Sequence, residues 1–332
     1  MVNPAYIIAE MACSHEGDLN LAKKIIAGAG KAAADAVQFQ IYTLAERVVP
    51  QHPQYDLLGE LEFSQDQWTE LAGLVRNQYP EMQIIACVYE TFSVDFAERI
   101  QVDAYKIHSA DLSNPQLLRY VAGTGKRIDL SVGASSLDEI TQAVDRIRSV
   151  SQCPIWLMYG MQNSPTPTSE IHLDYMMKLR RLFELPIGYQ DHTDAESEAA
   201  FWLPAAALGM GVNVLEKHIT HDRSYRGVDH EAALNPDEFE RFAAMVREIE
   251  GARGVSSPKP FTEEELKYRQ YAKKSIVAAH DLHVGSKVEL SDFKFMFADR
   301  LGLPPDYSPR LVGKEICRKI PAYELVTEED VR

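Results

Sequence analysis

Two histidines at the ends of predicted strands are the residues best suited to chemistry. The segments PIGYQDH (186–192) and VNVLEKHI (212–219) are each predicted to be a buried strand that ends on or beside a histidine. Neighbouring parallel strands bring their carboxyl ends to one edge of a sheet, so we expect His192 and His218 to approach each other. Two imidazoles suit a divalent metal whose other positions stay open for water and a substrate oxygen.

A lysine within an apolar segment is the second such feature. Lys106 lies inside AYKIHS (104–109), a predicted strand, and a buried ammonium group is costly without an anionic partner. Three kinds of partner would satisfy it: a carboxylate on a neighbouring strand, a substrate phosphate or carboxylate, or a carbonyl that forms a Schiff base. Ser109 and Ser131 end this strand and the next, where their hydroxyls could join Lys106 around an oxyanion.

The elements that would position these residues alternate regularly along the first two thirds of the chain. Strand-like segments occupy 5–12, 36–42, 83–89, 104–109, 127–133, 154–160, 186–192 and 212–219. Most are continuously apolar, as is typical of parallel strands covered on both faces. Helix starts are marked by capping boxes at Ser64 and Ser136, and by Asn235 before a proline.

Eight strand–helix units within about 250 residues predict a (β/α)8 TIM barrel. The alternative is an open doubly wound sheet, which is disfavoured because no GxGxxG motif follows any strand. Active sites of such barrels lie at the carboxyl ends of the strands. The polar residues predicted at those ends are Glu16, Gln38, Gln40, Glu90, Lys106, Ser109, Asp111, Ser131, Gln162, Gln190, His192 and His218. This concentration of polar residues on one face indicates a functional barrel rather than a purely structural one.

The chain changes in character after the predicted barrel, which we assign to residues 1–253. Residues 254–270 carry proline, serine and several acids and are predicted to be a linker. Residues 271–332 contain two similar segments, SIVAAHDLHVGSKVELSDF and GKEICRKIPAYELVTEEDV. This weak repeat predicts a small second domain of α+β type, about sixty residues long.

Charge and cysteine content narrow the class of protein. The 332 residues include 34 Lys and Arg against 49 Asp and Glu, a net charge of −15. A nucleic-acid partner would need a basic surface, so we expect none.

Four widely spaced cysteines without CxxC pairing indicate free thiols in a reducing compartment. With neither a signal-like amino terminus nor an apolar run long enough for a bilayer, the sequence predicts a cytoplasmic protein without a membrane partner.

Several motifs resemble those of the sialic acid synthase family, which includes N-acetylneuraminate, pseudaminate and legionaminate synthases and related spore-coat enzymes. The motifs are IIAEMACSHEG (7–17), DAVQFQIYT (35–43), AYKIHSADL (104–112), LSVGASS (130–136), SPTP (164–167), GYQDHT (188–193), VLEKHIT (214–220) and VDHEAALNPDEF (228–239). The resemblance covers nearly the whole chain. Residues 271–332 resemble the family's carboxyl-terminal SAF (antifreeze-like) domain, with Asp299 and Arg300 at the position of its Arg-Pro-Gly motif.

The resemblance implies a metal-dependent condensation of phosphoenolpyruvate with the open-chain aldehyde of an N-acylated hexose. The products would be a nine-carbon 2-keto-3-deoxy acid, that is a nonulosonic acid, and inorganic phosphate. His192 and His218 would hold the metal, expected to be Mn²⁺ with Mg²⁺ or Co²⁺ as alternatives. The resemblance also implies a domain-swapped homodimer, in which Arg300 reaches the barrel of the partner subunit.

The resemblance further assigns roles to the polar residues at the strand ends. The residues expected to be catalytic are Glu16, Lys106 and Asp229. Those expected to bind phosphoenolpyruvate are Gln38, Lys106, Ser109, Ser131, Gln162 and Gln190. Those expected to contact the sugar are Gln40, Asp111 and Arg300.

The chain departs from the family at the predicted phosphate site. The family carries lysine where this chain has Gln38, serine where it has Gln190, and threonine where it has Glu90. A charge-assisted phosphate contact contributes about 1.5–3 kcal/mol, so the lost charge calls for compensation by Lys106 or by nearby arginines such as Arg223 and Arg226. Otherwise the donor or the activity differs. The alternatives are an aldolase-like or isomerase-like enzyme acting on a sugar aldehyde, or a degenerate sugar-binding homologue.

Overall fold

The computed structural model describes residues 4–160, 163–254 and 257–332. The chain divides into two compact units, Met1–Gly254 and Val255–Arg332. The division lies next to the end of the predicted barrel domain. Each unit has its own hydrophobic core, so each is described separately below.

The first unit is a closed barrel of eight parallel strands in sequence order. The strands are β1 Tyr6–Glu10, β2 Ala36–Ile41, β3 Gln83–Val88, β4 Ala104–Ile107, β5 Arg127–Ser131, β6 Ile155–Tyr159, β7 Ile187–Asp191 and β8 Val214–His218. The barrel closes where β1 pairs with β8 and places Glu10 opposite His218. The predicted (β/α)8 fold is therefore confirmed, and each observed strand lies within a predicted strand segment.

Helices follow the strands and surround the barrel. They are α1 Leu19–Lys31, α2 Leu44–Arg47, α3 Tyr55–Leu61, α4 Gln65–Gln78, α5 Thr91–Arg99, α6 Pro115–Gly123, α7 Leu137–Arg148, α8 Leu173–Phe183, α9 Ala199–Gly209 and α10 Pro236–Arg253. The predicted capping boxes form at Ser64 and Ser136, and Asn235 is the N-cap of α10, with Pro236 at its first position as predicted. Throughout the described ranges, no helix combines the length and the apolar character needed to cross a membrane.

The interior of the barrel changes from apolar to polar along the strands. A layer of apolar side chains is formed by Ile8, Ala36, Ile85, Ala104, Met158 and Val214. Side chains two residues apart on a strand face the same way. Two residues further along β1, β2, β3, β4 and β8 lie Glu10, Gln38, Cys87, Lys106 and Glu216. The apolar layer therefore closes the barrel beneath a polar layer at the carboxyl ends.

The amino-terminal end of the barrel is closed by a stacked arginine. The guanidinium carbon of Arg127 lies 3.9 Å from the ring centre of Trp156 and 4.8 Å from that of Tyr6. Arg127 also forms a two-point ion pair with Asp129, at 2.9 and 3.1 Å. Asp129 is fully buried and would be costly without this partner.

The second unit combines one helix, α11 Glu263–Ala272, with two antiparallel strands, β9 Ser275–Ala278 and β10 Phe293–Met296. The helix occupies much of the segment assigned to a linker, because a capping box at Thr262 starts it within the acidic run. The two halves of the predicted repeat pair with each other through antiparallel bridges, such as Leu282 to Ile320. The similarity of this unit to an SAF domain stays a prediction.

We expect Gly160→Ala to destabilise the barrel. A Cβ at Gly160, just after β6, would lie 2.1 Å from the carbonyl oxygen of Gln190 in β7. The backbone would have to shift, at a cost of about 1–3 kcal/mol. Gly123→Ala is the control, because its Cβ would meet nothing within 4 Å, and we expect a gain of about 0.4–1 kcal/mol. Urea unfolding measures both, and equal stabilities would contradict the close packing at Gly160.

Candidate active site

A small cavity of about 50 Å³ lies among the carboxyl ends of the barrel strands. Its lining residues all belong to a strand or directly follow one, and they are Glu10, Gln38, Gln40, Cys87, Lys106, His108, Ser131, Gln190, His192, Glu216 and His218. Seven of the residues expected from the sequence are thus brought together. The structure adds Glu10, Cys87, His108 and Glu216.

The two histidines at the ends of β7 and β8 face each other in this cavity. Their ring centres are 4.8 Å apart, with an angle of 53° between the ring planes. Burial lowers the pKa of His192 to about 4 and holds the pKa of His218 well below its usual value. Both imidazoles are therefore neutral at pH 7, which is the form that binds metals.

The chemistry of this pair fits a divalent metal. Nδ1 of His192 is buried and has no hydrogen-bond partner, so a lone pair or a proton on this atom is left unsatisfied. Among the residues that the structure describes, no third His, Cys, Asp or Glu completes a group that could hold a metal ion. The protein would therefore supply two ligands and leave the remaining positions to water and substrate.

An ion pair crosses the cavity between opposite sides of the barrel. Nζ of Lys106 in β4 lies 2.5 Å from Oε2 of Glu216 in β8, and both side chains are almost completely buried. A carboxylate on a neighbouring strand is one of the partners expected from the sequence; Glu216 is instead on β8, opposite β4 in the barrel, so Lys106 extends through the interior. Burial disfavours the charged lysine, but the nearby carboxylates of Glu216 and Glu10 outweigh it and raise its pKa. A protonated lysine disfavours Schiff-base chemistry.

A second carboxyl group, Glu10 of β1, shares this interior. Its Oε1 accepts hydrogen bonds from the backbone N–H of Ala12 at 2.5 Å and from Nε2 of Gln40 at 3.4 Å. Burial and the negative charge of Glu216 raise the pKa of Glu10 to about 8. At neutral pH Glu10 is therefore mostly protonated and is able to donate a proton.

Uncharged polar groups line another part of the cavity wall. Ser131 donates a hydrogen bond to Oε1 of Gln190 at 3.1 Å and accepts one from Nε2 at 2.9 Å. Gln40 accepts a hydrogen bond from the hydroxyl of Tyr89 at 3.0 Å. The buried Oε1 of Gln38 has no partner. This oxygen is therefore able to accept a hydrogen bond from a bound water molecule or ligand.

Two further carboxyl groups lie in the loops after β1 and β8. Oε1 of Glu16 accepts a hydrogen bond from the backbone N–H of Val228 at 2.7 Å. Gly227 permits this approach, since a Cβ there would lie 1.8 Å from the same oxygen. Burial and the charges of Glu231 and Glu16 raise the pKa of Asp229. Glu16 and Asp229 are thus near each other but do not line the cavity.

Several expected site residues lie elsewhere. Ser109 and Asp111 form a single 3-10 turn after β4 and do not line the cavity, because the chain bends away after His108. Gln162 lies outside the described residues. Arg300 belongs to the second unit, where it is exposed.

Glu90, one of the polar residues predicted at the strand ends, does not line the cavity. Its side chain caps α5 by accepting a hydrogen bond from the backbone of Ser93 at 2.7 Å, and it also accepts one from Thr43 at 2.8 Å. Arg223 does not compensate for a missing cation either. Its Nη2 lies 2.7 Å from Oε1 of Glu238, so its charge is already paired.

Replacing one member of the ion pair across the cavity should destabilise the barrel. Lys106→Met leaves Glu216 buried without its cation, and we expect a loss of about 3–5 kcal/mol in unfolding free energy. The double variant Lys106→Met/Glu216→Leu removes both charges and should recover most of this loss. Urea unfolding of the two single variants and the double variant gives the coupling energy, and strictly additive effects would contradict a direct pair.

The buried His15 should make stability depend on pH. Burial lowers its pKa to about 4 in the folded protein, against about 6.5 when unfolded. The folded state therefore binds fewer protons between these values, so stability is full above pH 6.5 and falls as the pH falls. We expect His15 to account for about 2 kcal/mol of loss between pH 6.5 and 5. Urea unfolding of wild type and His15→Gln at both pH values isolates this contribution, and parallel pH dependences would refute it.

Comparisons with known proteins show the family to which this chain belongs. The NeuB family matches residues 25–257. The N,N'-diacetyllegionaminic acid synthase of Legionella pneumophila is 29% identical over 96% of this chain and 92% of its own length. The N-acetylneuraminate-9-phosphate synthase of Mus musculus is 29% identical over 99% and 93%. The crystal structure of the N-acetylneuraminic acid synthetase of Leptospira borgpetersenii has a TM-score of 0.72 at 30% identity, covering 80% of this chain and 92% of that one. The chain therefore belongs to the NeuB family, and the predicted resemblance to sialic acid synthases is confirmed.

Proposed function

We propose that this enzyme condenses phosphoenolpyruvate with the aldehyde form of an N-acylated hexose and depends on a divalent metal. The products are a nonulosonic acid and inorganic phosphate. The observation that carries the proposal is the pair of neutral, facing imidazoles beside a buried lysine–carboxylate pair at the carboxyl ends of the barrel strands. Its relatives in the NeuB family support it, because their names include sialic and legionaminic acid synthases.

The reaction needs acid–base groups at two centres. Carbon 3 of phosphoenolpyruvate forms the new bond to the aldehyde carbon, and the aldehyde oxygen takes up a proton. Water adds at carbon 2 and loses a proton. The bond from carbon 2 to the phosphate oxygen then breaks while the new hydroxyl on carbon 2 gives its proton to the departing phosphate, which leaves a ketone and inorganic phosphate. The site therefore needs a proton donor for the alkoxide and an acceptor for water.

The side chains present supply these roles. His192 and His218 would hold the metal, expected to be Mn²⁺ with Mg²⁺ or Co²⁺ as alternatives, which as a Lewis acid polarises the aldehyde carbonyl. Glu10, protonated at neutral pH, is placed to give a proton, and Glu216 is placed to accept one. Lys106 remains positive near both carboxyl groups and would attract the anionic donor.

The remaining predicted residues complete the substrate contacts in this proposal. Those assigned to phosphoenolpyruvate are Lys106, Ser109, Ser131, Gln38, Gln162 and Gln190. Gln40 and Asp111 would contact the sugar, together with Arg300 from the partner subunit of a domain-swapped homodimer. Glu16 and Asp229, held in the loops after β1 and β8, would position the sugar and assist proton transfer.

Replacing either imidazole should abolish metal binding and turnover together. With Mn²⁺, phosphoenolpyruvate and a panel of N-acyl hexoses, wild type should release inorganic phosphate. We expect His192→Ala and His218→Ala to lower kcat/KM by about 10³-fold or more, since the carbonyl loses its polarisation. His283→Ala, an exposed histidine of the second unit, is the control. Elemental analysis reports metal content, and full activity in a metal-free variant would refute the metal's role.

A second candidate is an aldolase-like or isomerase-like reaction with a different donor. The uncharged wall formed by Gln38, Ser131 and Gln190 favours it, because a phosphate dianion prefers cationic partners. This candidate would be established instead if the enzyme turns over pyruvate or a hydroxy-ketone without phosphate release. It would also have to release no phosphate from phosphoenolpyruvate with any sugar of the panel. Absence of both activities and of bound metal would leave a sugar-binding homologue.

A further inference from the structure

An arginine beside the cavity lies between two tyrosines instead of beside a carboxylate. Arg47 ends the short helix α2, directly after β2. Its guanidinium carbon is 3.8 Å from the ring centre of Tyr89 and 4.3 Å from that of Tyr42. The two rings are close to perpendicular, with their centres 6.2 Å apart, so they contact the guanidinium from two sides. This arrangement fixes the orientation of the cation.

Arg47 forms no direct ion pair with a described carboxylate, although its charge acts on the nearby Asp111. Its Nη1 is buried without a hydrogen-bond partner. In the described part of the chain, no carboxylate oxygen lies within 4 Å of its guanidinium nitrogens. The chain has a net charge of −15, so carboxylates are abundant. Keeping a half-buried guanidinium without one costs free energy, which a bound anion would recover.

Arg47 is coupled to the cavity through Tyr89. The hydroxyl of Tyr89 donates a hydrogen bond to Gln40, which lines the cavity, and the Tyr89 ring lies 6.1 Å from that of His108 on the same wall. The positive charge also acts on the cavity, where it opposes the effect of burial on the pKa of Cys87. One residue layer therefore separates Arg47 from the lining.

The cavity itself lacks a free cation for a phosphate group. Lys106 is the one lysine or arginine among the described lining residues, and Glu216 already pairs with it. Arg223 is paired with Glu238. A substrate dianion in this cavity would therefore meet little net positive charge from the lining alone.

We propose that Arg47 is the phosphate-binding residue of this site, holding a phosphate monoester of the substrate at the rim of the barrel cavity. The guanidinium offers paired N–H donors to two phosphate oxygens, and the stacked tyrosines keep it oriented without neutralising it. The phosphate belongs either to phosphoenolpyruvate or to a phosphorylated sugar acceptor. The assignment to a substrate rests on the proposed function, whereas the anion site itself does not.

Binding measurements test the site without any turnover. Isothermal titration of inorganic phosphate, phosphoenolpyruvate, pyruvate and an N-acyl hexose 6-phosphate would be carried out on the full chain. Arg47→Met removes the donors and the charge, and Arg47→Lys keeps the charge but loses the paired donors. Arg119→Met, at an exposed position on α6, is the matched control. Thermal unfolding checks that each variant is folded, and Arg47→Gln replaces Arg47→Met if that variant is not.

We expect Arg47→Met to weaken binding of inorganic phosphate and phosphoenolpyruvate by about 10- to 100-fold. Arg47→Lys should show an intermediate loss, while Arg119→Met and the binding of pyruvate should not change. A loss confined to the hexose 6-phosphate would assign the phosphate to the acceptor. Unchanged phosphate-ligand affinities in both Arg47 variants, or a wild type that binds none of the phosphate ligands, would overturn the proposal.

Steady-state kinetics separates this proposal from the condensation itself. A raised KM for the phosphate-bearing substrate at nearly constant kcat is expected, because Arg47 binds the substrate away from the reacting carbons. If wild type binds phosphate through Arg47 but releases none from phosphoenolpyruvate, the anion site stands and the condensation fails. If wild type performs the condensation and the Arg47 variants keep wild-type kinetics and affinities, the condensation stands and the role of Arg47 fails.

Discussion

The ion pair between Lys106 and Glu216 is the interaction on which the active site depends. It connects opposite walls of a closed barrel, within a polar layer supported by apolar side chains beneath it. Charges in such an environment are poorly solvated, so each one is stable only if another balances it. A third charge in the same space, that of Glu10, has no cation of its own. The interior therefore favours the protonated form of Glu10 at neutral pH.

The same lack of solvation explains the state of the histidines. Burial, reinforced by the positive charges of Lys217 and Lys106, keeps His218 neutral, and His192 shows the same direction. The same buried environment therefore keeps Glu10 protonated and keeps His192 and His218 unprotonated. Groups whose pKa values move in this way within one cavity are suited to acid–base work and to metal ligation. The barrel supplies both without any special local backbone conformation at these residues.

The sequence predicts the barrel well, because apolar strands and capped helices report on local periodicity. It also places His192 and His218 together, since both end a strand. It does not single out Glu10 and Glu216, although Glu216 lies two residues before His218 and therefore on the same face of β8. The position of Glu90 after a strand suggests a place in the cavity wall. That position alone does not fix the direction of the side chain, which caps α5 instead. Arg47 could not be recognised, since its partners are two rings from separate loops.

Among the described residues, two arginines each stack on two aromatic rings, and only one of them is also paired with a carboxylate. At the amino-terminal end of the barrel, Arg127 lies against Tyr6 and Trp156 and is neutralised by the buried Asp129. At the carboxyl end, Arg47 has the rings but no direct ion pair with a described carboxylate. The rings alone stabilise a cation by about 0.5–2 kcal/mol, and they leave the buried Nη1 of Arg47 without a hydrogen-bond partner. The charge of Arg127 is therefore balanced by Asp129 without a ligand. In our proposal, the charge of Arg47 is balanced only when an anion binds.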